Sequence, residues 1–205
     1  MSIEVVENRF VTYTDWSGYL KYLDAVGDGR TRVTYDRGTL ELMSPSNEHE
    51  QVKSILGRIV ETVMVEALID FTFGGSTTFR REDLDRGLDP DECYWIANWG
   101  SFLGRPYDVD SDPPPDLVVE VDIYSSSINR LELYRVMRVP EVWRYCRDRI
   151  MRIYQLQDGK YVVCSHSPTI PKLASVDLDR ILSKRSEMSS SALLRYVRDW
   201  WRSVE

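Results

Sequence analysis

Three acidic side chains in residues 116–123 are the groups of this sequence best placed for chemistry. The segment follows prolines 113–115 and reads Asp-Leu-Val-Val-Glu-Val-Asp-Ile, which predicts a buried strand. Because side chains alternate along a strand, Asp116, Glu120 and Asp122 share one face and apolar residues occupy the other. Ionised carboxylates are costly to bury unless they are paired, hydrogen-bonded or bound to a cation. We therefore expect positive charge over this face.

The positive charge could come from either of two sources. Residues 91–96 read as a strand next to this one, which would set Asp91 near Glu120. Two carboxylates on adjacent strands can hold a divalent cation, which lowers the pKa of a bound water and neutralises charge on a phosphate. Arg130, the first basic residue after the strand, could then stabilise the phosphate. Alternatively, arginines of the following helix neutralise the acids, which only cap or orient loops.

The helix after the acidic strand is predicted over residues 128–138. Serines 125–127 can cap its start, and Arg130, Arg135 and Arg138 are expected on its exposed side. An earlier amphipathic helix of about five turns begins near Asn47, where Glu50 three residues later fits a capping box. His49 and Glu50 at its start are interpreted first as cap and surface residues.

The remaining elements frame these two helices. Asp15 can cap a short helix that ends near Val26, and residues 84–90 read as a polar loop. Further strands are predicted at residues 32–35, 39–43, 69–73, 77–81, 141–146, 149–155 and 160–164, and further helices at 176–182 and 191–201.

Composition fits one soluble domain spanning residues 1–205, with 42% hydrophobic and 29% charged residues. No apolar run is long enough for a membrane span, and the N-terminus lacks the form of a signal peptide, so we expect a cytoplasmic protein. Three cysteines without a Cys-x-x-Cys pair, and only two histidines, offer neither a disulfide framework nor a zinc site. Any metal would be held by oxygen, which favours Mg²⁺ or Mn²⁺.

The charges are unevenly distributed along the chain. The net charge of −7 argues against bulk electrostatic binding to nucleic acid. Residues 82–122 contain twelve acids and two arginines, whereas residues 130–152 contain seven arginines and three acids. Either these are solvated faces that neutralise each other, or a metal-binding centre is flanked by a phosphate-contacting surface.

Five motifs in register resemble the Uma2 family, which is found in cyanobacteria and other bacteria. The resemblance covers residues 10–182 and leaves 183–205 as a C-terminal helical extension. The motifs are Gly38-Thr39-Leu40-Glu41-Leu42-Met43-Ser44-Pro45, His49-Glu50, Pro90-Asp91-Glu92, Pro115-Asp116-Leu117-Val118-Val119-Glu120-Val121 and Val139-Pro140-Glu141-Val142-Trp143.

The resemblance implies a mixed α/β fold with a restriction-endonuclease-like core, usually called PD-(D/E)XK. In this core a central mixed sheet is flanked by helices in the order helix, strand, strand, acid-bearing strand, helix, strand; here an N-terminal helix and hairpin are added. It also implies a metal-dependent DNA endonuclease with Mg²⁺ or Mn²⁺, and a homodimer. If the roles of the family's motif residues are assigned to the matching positions of this sequence, Asp91 and Glu120 are metal ligands and the Val121 carbonyl is a third ligand. Glu50 is then a further catalytic acid.

One position departs from the family pattern. The usual lysine two residues after the glutamate is Asp122 here, and the lysine that many members carry on the next helix is replaced by Arg130. Arginine stays protonated and binds oxyanions as a fork, whereas lysine can also exchange a proton. Arg130 could still stabilise a phosphate, or it could pair with Glu120 and Asp122 and fill the metal site. The alternative is therefore a catalytically inactive domain that serves DNA binding or protein interaction.

Overall fold

Two β-sheets and five α-helices make up the part of the chain that the computed structural model describes, residues 8–27, 29–124 and 126–204. The strands are β1 (Asn8–Tyr13), β2 (Arg32–Asp36), β3 (Thr39–Ser44), β4 (Thr72–Phe73), β5 (Phe79–Arg81), β6 (Arg86–Leu88), β7 (Glu92–Trp95), β8 (Leu117–Asp122), β9 (Glu141–Cys146), β10 (Met151–Gln157) and β11 (Lys160–Cys164). The helices are α1 (Trp16–Val26), α2 (Asn47–Glu66), α3 (Arg130–Val136), α4 (Ser175–Ser183) and α5 (Ser190–Ser203).

The first sheet is antiparallel, with strand order β1-β3-β2-β6-β5. The side chain of Asp15 caps α1 as predicted, accepting from the amide of Gly18 at 2.8 Å. This helix places Tyr19 in a small core with Val33, Tyr35 and Leu40 of the hairpin. The N-terminal helix and hairpin are therefore confirmed, but they belong to a larger sheet that β5 and β6 complete.

The prediction that residues 84–90 form a polar loop is wrong. β6 is a buried strand within them, paired with β2 on one side and β5 on the other. Gly87 at its centre lies against Tyr19, and a Cβ added to Gly87 would meet the Tyr19 hydroxyl oxygen at 2.1 Å. Only a residue without a side chain allows the strand to approach α1 this closely.

The second sheet has the order β11-β10-β9-β8-β7-β4, and only the β8–β9 pair is parallel. Parallel neighbours need a crossover, which α3 provides. Leu117 and Val119 of β8 face the core that contains α2, whereas Val118 faces the core that contains α3. The elements α2, β4, β7, β8, α3 and β9 follow the expected restriction-endonuclease-like order, so the mixed sheet flanked by helices is confirmed.

The helices α2 and α3 begin at residues other than those predicted. Ser46 caps α2, one residue before the predicted cap, because its side chain accepts from the amide of His49 at 3.1 Å. The helix α3 begins at Arg130 with Asn129 as its cap. Of the serines predicted to cap it, Ser125 lies outside the described residues.

The C-terminal part packs on the second sheet. Leu193, Val197 and Trp201 of α5 are buried in the same core as α2. Within the described residues, no helix combines the length and apolarity that crossing a bilayer requires. The three cysteines are free thiols.

Candidate active site

Asp91 and Glu120 are brought together by neighbouring antiparallel strands. Glu92 pairs with Val119 in the β7–β8 ladder, and one further step of this register sets Asp91 opposite Glu120. Only 2% of Asp91 and 3% of Glu120 is exposed to solvent. Burial raises the pKa of Glu120, and the nearby charge of Asp91 adds to this rise.

Arg130 binds both carboxylate oxygens of Glu120. Its Nε donates to Oε2 at 3.0 Å and its Nη2 donates to Oε1 at 2.7 Å, which is a bidentate fork. The hydroxyl of Tyr134, one turn further along α3, also donates to Oε1. The carboxylate of Glu120 is therefore enclosed by donors that all come from α3.

The rest of the Arg130 guanidinium is held by the first sheet. Nη1 donates to the hydroxyl of Thr34 at 2.6 Å, and Nη2 donates to the main-chain carbonyl of Asp89 at 2.6 Å. The expectation that Arg130 lies on the exposed side of its helix is wrong, since only 8% of the residue is exposed. Its burial follows from these partners, because the guanidinium sits where the two sheets meet.

Asp91 is held by different partners. Its Oδ1 lies 2.8 Å from Nε2 of His49, and its Oδ2 accepts from the amide of Val121 at 2.8 Å. Burial alone would raise the pKa of Asp91, but the charge and hydrogen bond of His49 outweigh burial and lower the pKa to about 2. Asp91 is therefore a carboxylate at neutral pH.

His49 is a site residue that the sequence interpretation missed. It is completely buried, although it was interpreted as a cap or surface residue. His49 lies three residues before Val52 and seven before Leu56, so it continues the buried stripe of α2. The helical spacing could have revealed this position, since residues at i, i+3 and i+7 share one face.

Glu50 is not brought into contact with Glu120. Its side chain is 40% exposed, and its Oε1 lies 4.0 Å from Nη2 of Arg32. The Nε of Arg32 is also 4.0 Å from Oδ1 of Asp91. Arg32 therefore separates Glu50, at the rim, from the buried carboxylates.

Asp122 does not pair with Arg130. Its Oδ2 accepts from Nη2 of Arg144 on β9, and its Oδ1 lies 4.0 Å from Nη2 of Arg9. Asp116, the third acid of this face, accepts from the amides of Ile96 and Ala97 and so orients a loop. Loop amides satisfy Asp116 as expected, but the arginine that pairs with Asp122 is Arg144 of β9 and not an arginine of the following helix.

The model of the Uma2 family, described as "Putative restriction endonuclease", matches residues 16–182 of the chain. The chain belongs to the Uma2 family. No curated protein matches it. Among solved structures, it is similar to a putative nuclease belonging to DUF820 from Anabaena variabilis ATCC 29413. The two chains share 15% identity with a TM-score of 0.49, over 72% of this chain and 89% of that one.

The carboxylates of this Uma2 protein, as arranged, do not fit a divalent cation. No group of three His, Cys, Asp or Glu side chains in residues 8–27, 29–124 and 126–204 is placed to bind a metal. Both oxygens of Asp91 and both oxygens of Glu120 are already hydrogen-bonded. Val121 contacts Asp91 through its N–H group rather than by offering its carbonyl. The resident cation beside Glu120 is the Arg130 guanidinium.

A further buried acid, Glu41, connects the first sheet to the segment next to the site. Glu41 on β3 is 1% exposed and accepts from Arg9 at 2.5 Å and from the amide of Ser127 at 2.8 Å. The hydroxyls of Ser126 and Ser127 donate to it at 2.9 and 2.6 Å. Burial works against ionisation, but these donors and Arg9 prevail and lower the pKa of Glu41. Glu41 thereby fixes the segment that leads from β8 into α3.

Proposed function

We propose that this protein is a DNA-binding member of the Uma2 family in which Arg130 takes the place of a metal ion at the paired carboxylates. The fork of Arg130 on both oxygens of Glu120 is the observation that carries the proposal. An arginine side chain keeps its charge at any physiological pH, so this cation is permanent. On this proposal the centre of the fold is a fixed ion pair that orders the two sheets.

The energetics favour a fixed role for Arg130. Its guanidinium donates to Glu120, Thr34 and the carbonyl of Asp89, and reaching a phosphate would break these bonds. Removing one partner from a buried ion pair costs about 3–5 kcal/mol, because the other charge is left unpaired. Mg²⁺ also gives up its waters reluctantly. A cation entering between Asp91 and Glu120 would have to meet both costs.

A groove along α2 is the surface proposed for the DNA backbone. It has a volume of about 690 Å³, and its lining includes Arg30, Arg58 and Arg185 together with Glu50. Arg30 and Arg58 are exposed to solvent. With a net charge of −7, DNA contact would be confined to such a local cluster. The homodimer implied by the family is a further part of the proposal, which light scattering of the purified protein tests.

Metal-dependent hydrolysis of DNA phosphodiesters is the second candidate function. It is favoured by the register that sets Asp91 opposite Glu120 in a family described as "Putative restriction endonuclease". In this case the two carboxylates would bind Mg²⁺ or Mn²⁺, and Arg130 would have to leave Glu120 first. Glu50 would act only from the rim of the site.

Nicking of supercoiled plasmid with Mg²⁺ or Mn²⁺ separates the two functions. The proposed function predicts no nicking by the wild type, whereas the second candidate predicts nicking that Glu120→Gln abolishes while the fold is retained. Arg130→Lys is the informative variant, because a compact ammonium leaves part of the fork empty. Nicking by wild-type protein that Glu120→Gln removes would overturn the proposal.

DNA binding is tested by mobility shift at several salt concentrations. Arg58→Ala combined with Arg185→Ala should weaken binding to any duplex sequence and reduce the salt slope by about 2, since each phosphate contact contributes about 0.9. Arg105→Ala is the matched control, because Arg105 is paired with Asp112 outside the groove. Equal binding by the double variant and the control would exclude this groove as the DNA surface.

A further inference from the structure

The strand β1 forms an open edge of the first sheet. It stands at the end of the strand order and pairs with β3 over all six of its residues, without a bulge. An edge strand presents a row of backbone N–H and C=O groups with which another strand can pair. Among the other edge strands of the described residues, β4 and β5 have only two and three residues, and β11 begins at Lys160, whose charge discourages pairing. The edge best suited to association is therefore β1.

The register of β1 against β3 decides which backbone groups point outward. The amide of Thr14 donates to the carbonyl of Gly38 at 2.9 Å, and this contact extends the β1–β3 register by one step. Hydrogen-bonded pairs alternate with non-bonded pairs along an antiparallel ladder. Thr12 and Phe10 therefore bond to β3, as Thr14 does. The residues between them direct their N–H and C=O groups away from the sheet, and these residues are Arg9, Val11 and Tyr13.

The side chains of β1 make this edge apolar and without net charge. Phe10, Val11 and Tyr13 are 58%, 42% and 81% exposed. Arg9 is the one charged residue of the strand, and its guanidinium donates to the buried carboxylate of Glu41 at 2.5 Å. Two copies of the chain can therefore approach each other at β1 without bringing like charges together, although each copy has a net charge of −7.

We propose that β1 pairs antiparallel with β1 of a second copy of this chain, which joins two five-stranded sheets into one. The proposal rests on the homodimer of the proposed function and names its interface. It requires neither DNA in the groove along α2 nor the ion pair of Arg130.

A two-fold axis at Val11 uses every outward-pointing backbone group of the strand. It sets Val11 of one protomer opposite Val11 of its partner, and it sets Arg9 opposite Tyr13 in both directions. Each of these three pairs can exchange two hydrogen bonds. An axis at Phe10 or Thr12 would bring only two such pairs together within β1, and an axis between two residues would place opposite side chains on different faces. The strand is therefore most complementary to itself at Val11.

Arg9 connects this edge to the segment that leads into α3. Its guanidinium donates to Glu41, which also accepts from the amide of Ser127 at 2.8 Å. A partner strand that fixes the backbone of Arg9 therefore also steadies Glu41 and the start of α3. On this proposal, dimerisation stabilises the helix that carries Arg130.

Sedimentation equilibrium of the full-length protein at several concentrations, without DNA, tests the interface. Val11→Lys sets two ammonium groups opposite each other, and like charges in that position destabilise strand pairing. The dissociation constant of the dimer should rise at least about tenfold. Val163→Lys is the matched control, because Val163 is an exposed valine of the edge strand β11, and it should leave the dissociation constant unchanged. Urea unfolding shows that each variant is folded.

A mixture of Val11→Lys and Val11→Glu tests the register. If Val11 faces its own counterpart, the mixture sets a lysine opposite a glutamate and restores a dimer at a concentration where each variant alone is monomeric. The interface is overturned, while a homodimer remains, if Val11→Lys dimerises as tightly as the wild type. It is also overturned if the mixture stays monomeric. A monomeric wild type overturns the interface together with the homodimer, whereas DNA binding by the groove along α2 is judged separately by mobility shift.

Discussion

Replacing Arg130 by methionine should destabilise the fold more than any other single arginine substitution on α3. Glu120 would remain buried at 3% exposure without its counter-charge, which costs about 3–5 kcal/mol. The lost bonds to Thr34 and the Asp89 carbonyl add about 1 kcal/mol each. This sum is a large part of the 5–15 kcal/mol typical of a domain.

Urea unfolding at pH 7 measures this cost, with Arg135→Met as the control. Arg135 lies on the same helix but is 38% exposed and pairs with Glu132 at the surface, so its loss should cost less than about 0.5 kcal/mol. The double variant Glu120→Gln with Arg130→Met removes both charges and should be more stable than the sum of the two single changes predicts. A cost for Arg130→Met no larger than that of the control would refute the reasoning.

The pH dependence of this variant has a defined sign. Burial raises the pKa of Glu120, and without Arg130 the pKa should rise further. A carboxyl group whose folded pKa is raised favours the folded state at low pH, and this contribution is lost as the pH rises. The penalty of Arg130→Met should therefore shrink as the pH is lowered from 7 towards the ordinary carboxyl range. A penalty that grows under these conditions would contradict a buried, unpaired Glu120.

Three further predictions concern the neighbouring polar groups. The pKa of Asp91 is lowered from 3.8 to about 2, so Asp91→Asn should lower the free energy of unfolding by about 2 kcal/mol at pH 7. In urea unfolding, the difference in stability between this variant and the wild type should vanish as the pH falls from about 4 to about 2. His49→Ala should lower the free energy of unfolding by about 2–4 kcal/mol in thermal unfolding, whereas His166→Ala, at an exposed position, should change it by no more than about 0.5 kcal/mol. Equal values for the two variants would contradict a stabilising His49–Asp91 pair. Glu41→Gln should speed hydrogen exchange at the Ser127 amide, and unchanged exchange would mean that Glu41 does not anchor this segment.

Local patterns in the sequence predict most of the scaffold. The acidic strand, its neighbour and α2 are correct because alternation and helical spacing depend on residues close together in the chain. The same spacing places His49 on the buried stripe of α2. Its polar side chain led to a surface interpretation, and the contact with Asp91, 42 positions away, helps to explain its burial.

The chemistry of the centre depends on contacts between distant segments. Arg130 is buried because Thr34, 96 residues earlier, and the Asp89 carbonyl accept from it. Its position three and four residues before Leu133 and Tyr134 places it on the buried face of α3, unlike Arg135, but its charge led to an exposed interpretation. The strand β6 was missed because three residues around Gly87 form a strand only between β2 and β5.

The melting temperature with and without saturating Mg²⁺ or Mn²⁺ tests most directly whether Arg130 occupies the place of a metal. A cation present at a hundred times its Kd would add about 2.7 kcal/mol, or roughly 5–10 °C for a chain of this size. The fixed ion pair predicts no shift in the wild type. A rise of this size that disappears in Glu120→Gln would mean that the carboxylates bind the metal and that Arg130 gives way to it.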